Sequence, residues 1–292
     1  MLYFKIVILA ILQGACELLP VSSSAHVIVA EKLMGIDPAT PEMTLLLVML
    51  HTGTMLAVIF YFKRSWQVSF FGSRKESLDL LKFLLVATFV TGIVGLGLKV
   101  LIEKVFLAHV AHAEVEMIFG NLGIVSPALA AAGILIVYSG IKTSGARRIL
   151  FEEDAQLAIF SSVVIGAVQG LCLPFRGFSR SGATISTGLL LDVSRRKAEE
   201  FSFALAVVLT PPVVLKEIHR LLEARSALGP QGAQDLAGLF LPSLIGMAAS
   251  FLAGLVALKW LSSWLESGRW QYFGYYCLAA SAFVFLLHMK GF

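Results

Sequence analysis

Gln13-Gly14-Ala15-Cys16-Glu17-Leu18-Leu19-Pro20-Val21-Ser22-Ser23-Ser24-Ala25-His26 is the stretch on which the fold turns. The apolar run Leu2–Leu19 leads into it, Pro20 and the serines interrupt it, and the shorter run Val27–Met34 follows. Helix, break and short helix is the natural reading, since proline cannot continue a helix and serines favour its first positions. A second stretch repeats the layout. Leu157–Leu173 runs apolar, Pro174 breaks it, a Gly/Ser/Arg turn follows, and Ile185–Leu191 resumes.

The two stretches also share residues. Gln13-Gly14-Ala15-Cys16 matches Gln169-Gly170-Leu171-Cys172, and Ser22-Ser23-Ser24-Ala25 stands where Ser179-Arg180-Ser181-Gly182 stands in the other. Met34-Gly35-Ile36-Asp37 parallels Leu191-Asp192-Val193-Ser194.

The surroundings place both stretches in a bilayer. Of 292 residues 58% are hydrophobic and 14% charged, against about 25% charged in soluble domains. Continuous apolar blocks lie at Met43–Phe62, Leu80–Ile102, Met117–Ile141, Phe201–Leu215, Leu236–Leu258 and Tyr272–Met289, the fourth extending from Ala198 to Ile218. Most reach the roughly 20 residues that cross a hydrocarbon core, and none alternates as a barrel strand does. The sequence therefore predicts an all-α, polytopic membrane protein forming a single membrane domain over 1–292. Two inverted repeats, at approximately 1–145 and 155–292, each comprise a re-entrant helical hairpin and three transmembrane helices. An odd number of crossings per half forces the inversion, and inverted repeats place broken helices and their site near the midplane.

Charge sets the orientation. If the loop Lys63–Asp79 is cytoplasmic, twelve Lys and Arg share its side, including Lys142, Arg147, Arg148 and Arg195–Lys197. Six fall opposite: Lys32, Lys104, Lys216, Arg220, Arg225 and Lys290. Both termini are then outside, with the first hairpin entering from outside and the second from the cytoplasm. Basic residues grouped this way exclude a nucleic-acid partner. Cys16, Cys172 and Cys277 lie in apolar sequence without metal-binding spacing, which excludes a disulfide framework or zinc site. Polar Gln13, Cys16 and Glu17 interrupt the first apolar run, so it is read as retained, not as a cleaved signal.

Polar groups inside a membrane are costly, and each is a candidate for function. Gln13 and Glu17 are four residues apart, on one helix face. Ser23 and His26 share a face if the helix restarts at the serines. In the second hairpin the set is Gln169, Arg176, Ser179, Arg180, Ser181 and Thr184. Two helix N-termini with an arginine make an oxyanion site, since their free N–H groups and a guanidinium suit phosphate. Glu17 has the wrong sign for an anion alone; it fits a divalent cation held against a diphosphate, or a base. His26 titrates near neutrality and can exchange a proton. Together these are parts of a phosphoryl-transfer site, with Ser22, Ser24 and Arg176 as further phosphate contacts. Ser23, His26 and an activated water all stand as nucleophiles. Blander roles exist as well: serines pack membrane helices, and a histidine can simply bond a carbonyl. His51 lies in a span where it can line the cavity; His109 and His112, beside Glu114 and Glu116, read as solvated.

At Gln13–His26 and at Gly177-Phe178-Ser179-Arg180-Ser181-Gly182-Ala183-Thr184 the chain resembles the bacterial undecaprenyl-diphosphate phosphatases. The resemblance extends to length, span order and motif position. It implies a dimeric inner-membrane enzyme with re-entrant hairpins that removes the terminal phosphate of undecaprenyl diphosphate. That reaction recycles the lipid carrier of peptidoglycan synthesis, a step tied to antibiotic resistance. The resemblance implies Mg2+ or Ca2+ as cofactor, a site on the periplasmic face, and membrane lipid and a polyprenyl diphosphate as partners. It assigns the main site to Glu17, Ser23, His26 and Arg180, with Gln13, Ser179, Ser181 and Thr184 around them. Two positions depart: Ala25 replaces the usual Gly, and Arg176-Gly177 replaces Pro-Gly. The competing reading is a transporter or flippase for an anionic lipid or solute, which would bind in the same broken helices without cleaving. A histidine-nucleophile lipid phosphatase is a weaker alternative, because only His219 and His288 follow Arg180.

Overall fold

The computed structural model describes residues 2–36, 41–106, 118–143 and 157–292. Among them there are helices and no strands. The readings made for Asp37, His109, His112, Glu114, Glu116, Met117, Arg147 and Arg148 lie outside the described residues.

In chain order the helices are α1 (Leu2–Leu18), α2 (Ser23–Met34), α3 (Pro41–Phe71), α4 (Arg74–Leu101), α5 (Leu122–Thr143), α6 (Ile159–Cys172), α7 (Arg180–Leu190), α8 (Arg195–Glu266) and α9 (Gln271–Met289). Six segments are long and apolar enough to cross a membrane: Met43–Val68, Arg74–Val105, Leu122–Thr143, Arg195–Lys216, Phe240–Glu266 and Gln271–Met289. They coincide with the six apolar blocks, but several run further into polar flanks, because a helix need not end where the hydrocarbon does. The chain reverses between the two spanning segments of α8. Ser262 Oγ donates to Glu199 Oε1 at 2.5 Å, although a straight helix would separate those residues by about 95 Å.

The short arms of both hairpins start earlier than the apolar pattern alone implies. α2 begins at Ser23, not Val27, because Ser22 caps it, its Oγ accepting from Ala25 N–H at 3.4 Å. α7 begins at Arg180, not Ile185, because Ser179 Oγ accepts from Gly182 N–H at 3.2 Å. Caps of this kind satisfy first-turn donors that would otherwise lack a partner.

Packing then follows from apolarity. Leu18, Leu19 and Val21 of the first hairpin, Ile185 and Leu189 of α7, Phe203, Leu258, Leu261 and Trp270 form one buried cluster. Leu85, Phe89, Ile93 and Leu96 of α4 are exposed, as expected of a surface facing lipid and not water. Helices α5 and α9 approach closely at Gly133 and Gly274; a Cβ on Gly274 would lie 2.7 Å from the Gly133 carbonyl oxygen. The three cysteines are buried and free.

Candidate active site

The breaks of the two hairpins meet. Gly177 N–H donates to Ser24 Oγ at 3.2 Å, and Ser181 Oγ donates to the Leu19 carbonyl at 3.4 Å. The approach requires glycine at 177, where φ is +100° and any Cβ would run into the Val125 carbonyl. Ser22 also has positive φ, 68°, a strained conformation for a residue with a side chain, of the kind that collects at functional sites.

Glu17 is the hub. Its Oε2 accepts from Ser23 Oγ at 2.5 Å and from Gln13 Nε2 at 3.2 Å, and its Oε1 accepts from Arg180 Nη2 at 3.1 Å. A carboxylate from the first hairpin and a guanidinium from the second therefore pair across the break. Their side chains are 21% and 20% exposed respectively, so the pair is shielded yet reachable. The other terminal nitrogen of Arg180, Nη1, is buried without a hydrogen-bond partner. Leaving such a donor unmet is costly, and an anion placed against it removes that cost.

A small pocket opens beside this pair. Its polar lining is Glu17, Arg180, His51, Thr54 and Thr210, and Met55 and Val207 contribute apolar wall. His51 is the one pocket histidine. Gln13 Nε2 lies 3.1 Å from its Nδ1. An amide nitrogen only donates, so Nδ1 accepts and the ring proton sits on Nε2. Turning the Gln13 amide over would aim its carbonyl oxygen at Glu17, which fixes the orientation shown.

The remaining expected residues separate by role. Gln13 is buried and joins Glu17 to His51. Ser22 and Ser24 hydroxyls lie 3.2 Å apart at the start of α2. Ser179 caps α7, and Ser181 ties the two breaks together. Thr184 is fully buried behind Arg180, donating to its carbonyl at 2.8 Å and sharing a 2.6 Å bond with Ser202 Oγ. Arg176 is exposed, its guanidinium 4.5 Å from the centre of the Phe119 ring. His26 shares a helix turn with Ser23 but does not bond Glu17 or Ser23. Its Nδ1 lies 2.8 Å from the Ser22 carbonyl and its Nε2 2.7 Å from the Tyr276 hydroxyl of α9. Tyr276 was not singled out in the sequence, where it is one of several tyrosines at the start of the last span.

Among the described residues no three of His, Cys, Asp or Glu cluster into a cage for a metal ion. A single carboxylate fits a hard divalent cation only if other oxygens complete the shell, and diphosphate oxygens are of that kind.

Comparison with known proteins gives a consistent result. A profile of the family described as "Bacitracin resistance protein BacA" matches residues 6–283. Undecaprenyl-diphosphatase 2 of Acinetobacter baylyi is 56% identical over 280 residues, 96% of each chain. Undecaprenyl-diphosphatase 2 of Burkholderia ambifaria is 33% identical over 97% of each chain, and Undecaprenyl-diphosphatase 1 of Burkholderia pseudomallei is 32% identical over 98%.

Proposed function

This chain belongs to the bacitracin resistance protein BacA family, and from that membership we propose its reaction and the parts that its residues play. It is an integral membrane undecaprenyl-diphosphate phosphatase, a hydrolase that yields undecaprenyl phosphate and inorganic phosphate and so recycles the cell-wall lipid carrier. The observation that carries the site assignment is the Glu17–Arg180 pair with a second, unpartnered guanidinium nitrogen beside it.

In the proposed mechanism the terminal phosphoryl group lies against Arg180 Nη1 and the first N–H groups of α2 and α7. Donors fixed where charge develops are the chief source of catalysis in such transfers. Ser23 Oγ attacks the terminal phosphorus as its proton passes to Glu17 Oε2, along the existing 2.5 Å hydrogen bond. The bond from that phosphorus to the bridging oxygen breaks, and undecaprenyl phosphate leaves. Water then attacks the phosphoserine, the Ser23 Oγ–P bond breaks and inorganic phosphate leaves, Glu17 returns its proton to Ser23 Oγ, and the water's proton is taken up by His26. Glu17, together with diphosphate oxygens, would hold Mg2+ or Ca2+, which supplies neutralising charge. Gln13 orients Glu17; Ser22, Ser24, Ser179 and Ser181 shape the two helix starts around the phosphates, and Thr184 supports Arg180 from behind. Arg176 lies further out and meets the incoming diphosphate first.

The finer architecture belongs to the same reading. The α1–α2 and α6–α7 hairpins are re-entrant, and the halves at about 1–145 and 155–292 are inverted repeats within one membrane domain. Three packings support this: α1 lies on α8 as α6 lies on α4, the closing helices α5 and α9 meet at Gly133 and Gly274, and both short arms start at serine caps. The protein is a multi-pass inner-membrane homodimer with both termini outside and the site open to the periplasm.

Phosphate release from undecaprenyl diphosphate by the purified protein, with and without a chelator, tests the function. Metal-dependent release that disappears in Arg180→Ala is the expected result. Binding of the intact lipid with no release would identify a transporter instead.

A further inference from the structure

We infer that the Tyr276 hydroxyl serves this reaction through His26, holding its ring and passing it the proton that it takes up; the inference rests on His26 belonging to the site as proposed above. The two residues are 250 positions apart and meet only because α9 packs beside the first hairpin. Their rings stack, centroids 5.6 Å apart and planes 11° from parallel, and the hydroxyl lies 2.7 Å from Nε2.

The hydrogen-bond chemistry fixes more than the ring plane. Nδ1 faces the Ser22 carbonyl at 2.8 Å. A carbonyl only accepts, so Nδ1 carries the proton. In the neutral ring Nε2 is then a lone pair, and the Tyr276 O–H donates to it. The imidazole is held in one tautomer from both sides, by the strained backbone of Ser22 and by a phenol from the last span. His51 is held in the opposite tautomer by Gln13, so the two histidines near the site present different nitrogens. Nε2 has one lone pair and the Tyr276 O–H fills it, so in the second step the water's proton passes to the phenol oxygen as the phenol's own proton passes to Nε2. Losing the hydroxyl frees the ring to turn about its bond to the backbone and to exchange tautomers.

Tyr276→Phe retains the ring and its stacking and removes only the hydroxyl. In a phosphate-release assay on the full-length protein, kcat falls about tenfold, a fraction of what a general base supplies, while KM stays within about twofold. On a His26→Ala background the same change has no further effect, because there is no imidazole left to receive the proton. A purely structural role would lower both backgrounds alike. Independently of turnover, 15N spectra of histidine-labelled protein show His26 as a single tautomer in the wild type and as a mixture in Tyr276→Phe. Wild-type kcat in Tyr276→Phe beside an impaired His26→Ala overturns the inference, as do equal losses on both backgrounds or unchanged His26 15N shifts. Wild-type turnover in His26→Ala instead removes His26 from the site and overturns the mechanism on which the inference stands.

Discussion

In the first hairpin Gln13 is followed four residues later by Glu17; in the second, Gln169 is followed at the same distance by Leu173. The consequences diverge from there. Gln13 bridges a carboxylate and an imidazole, whereas Gln169 is fully buried, donates to Thr91 Oγ1 at 3.2 Å and leaves its carbonyl oxygen unmet. Glu17 stands at the pocket, while Leu173 is 47% exposed on the outer surface. After the break the asymmetry reverses: the first hairpin has Ser23 where the second has Arg180. Ser23 and Arg180 both reach Glu17; had both positions carried arginine, two guanidiniums would crowd one carboxylate, and like charges at that range repel strongly in a low dielectric. The shared pattern provides two broken backbones that meet; the departures from it provide opposite charges that pair there.

Ser23→Ala removes the hydroxyl found only in the first hairpin and should lower kcat by about a thousandfold or more. More than a tenth of wild-type turnover in that variant would eliminate Ser23 as nucleophile. The glutamines should respond differently. Gln13→Leu should cost about tenfold in kcat/KM, because Glu17 and His51 lose their common tether. Gln169→Leu should leave activity within about twofold and stability within about 1 kcal/mol, since it removes an already unsatisfied oxygen. Equal effects would mean that the hairpins contribute alike. The smallest effect is expected at Arg176, exposed and stacked on Phe119. Arg176→Ala should raise KM about threefold at low salt, with kcat unchanged and the difference fading as salt screens the charge.

Much of this was legible in the sequence because hydrophobic length and helix breaks are local properties. Pro20, Pro174 and the serine caps announce both hairpins, and the six spanning segments follow their apolar blocks. Glu17 and Arg180 were legible because an ionised group in apolar sequence needs a reason. Contacts made by rotation about helix axes were not. Nothing local says that Tyr276 faces His26, since a row of tyrosines near a span end reads equally as an interfacial anchor. Nor does spacing show that His26 turns from Ser23 toward α9, or that His51 and Gln13 bond across 38 residues. Thr184 and Ser181 were identifiable as members of a motif, but their service as buried supports depends on Ser202 and Leu19, which no pattern connects to them.

Glu17 and Arg180, paired across the two hairpins, act as one unit in the proposed reaction. A double-mutant cycle of Glu17→Gln and Arg180→Gln, read as kcat/KM for phosphate release from undecaprenyl diphosphate in detergent, tests it most directly. Each single change should cost about a thousandfold, and the double variant should be scarcely worse than either. Losses that multiply, or turnover that survives either single change, would contradict it.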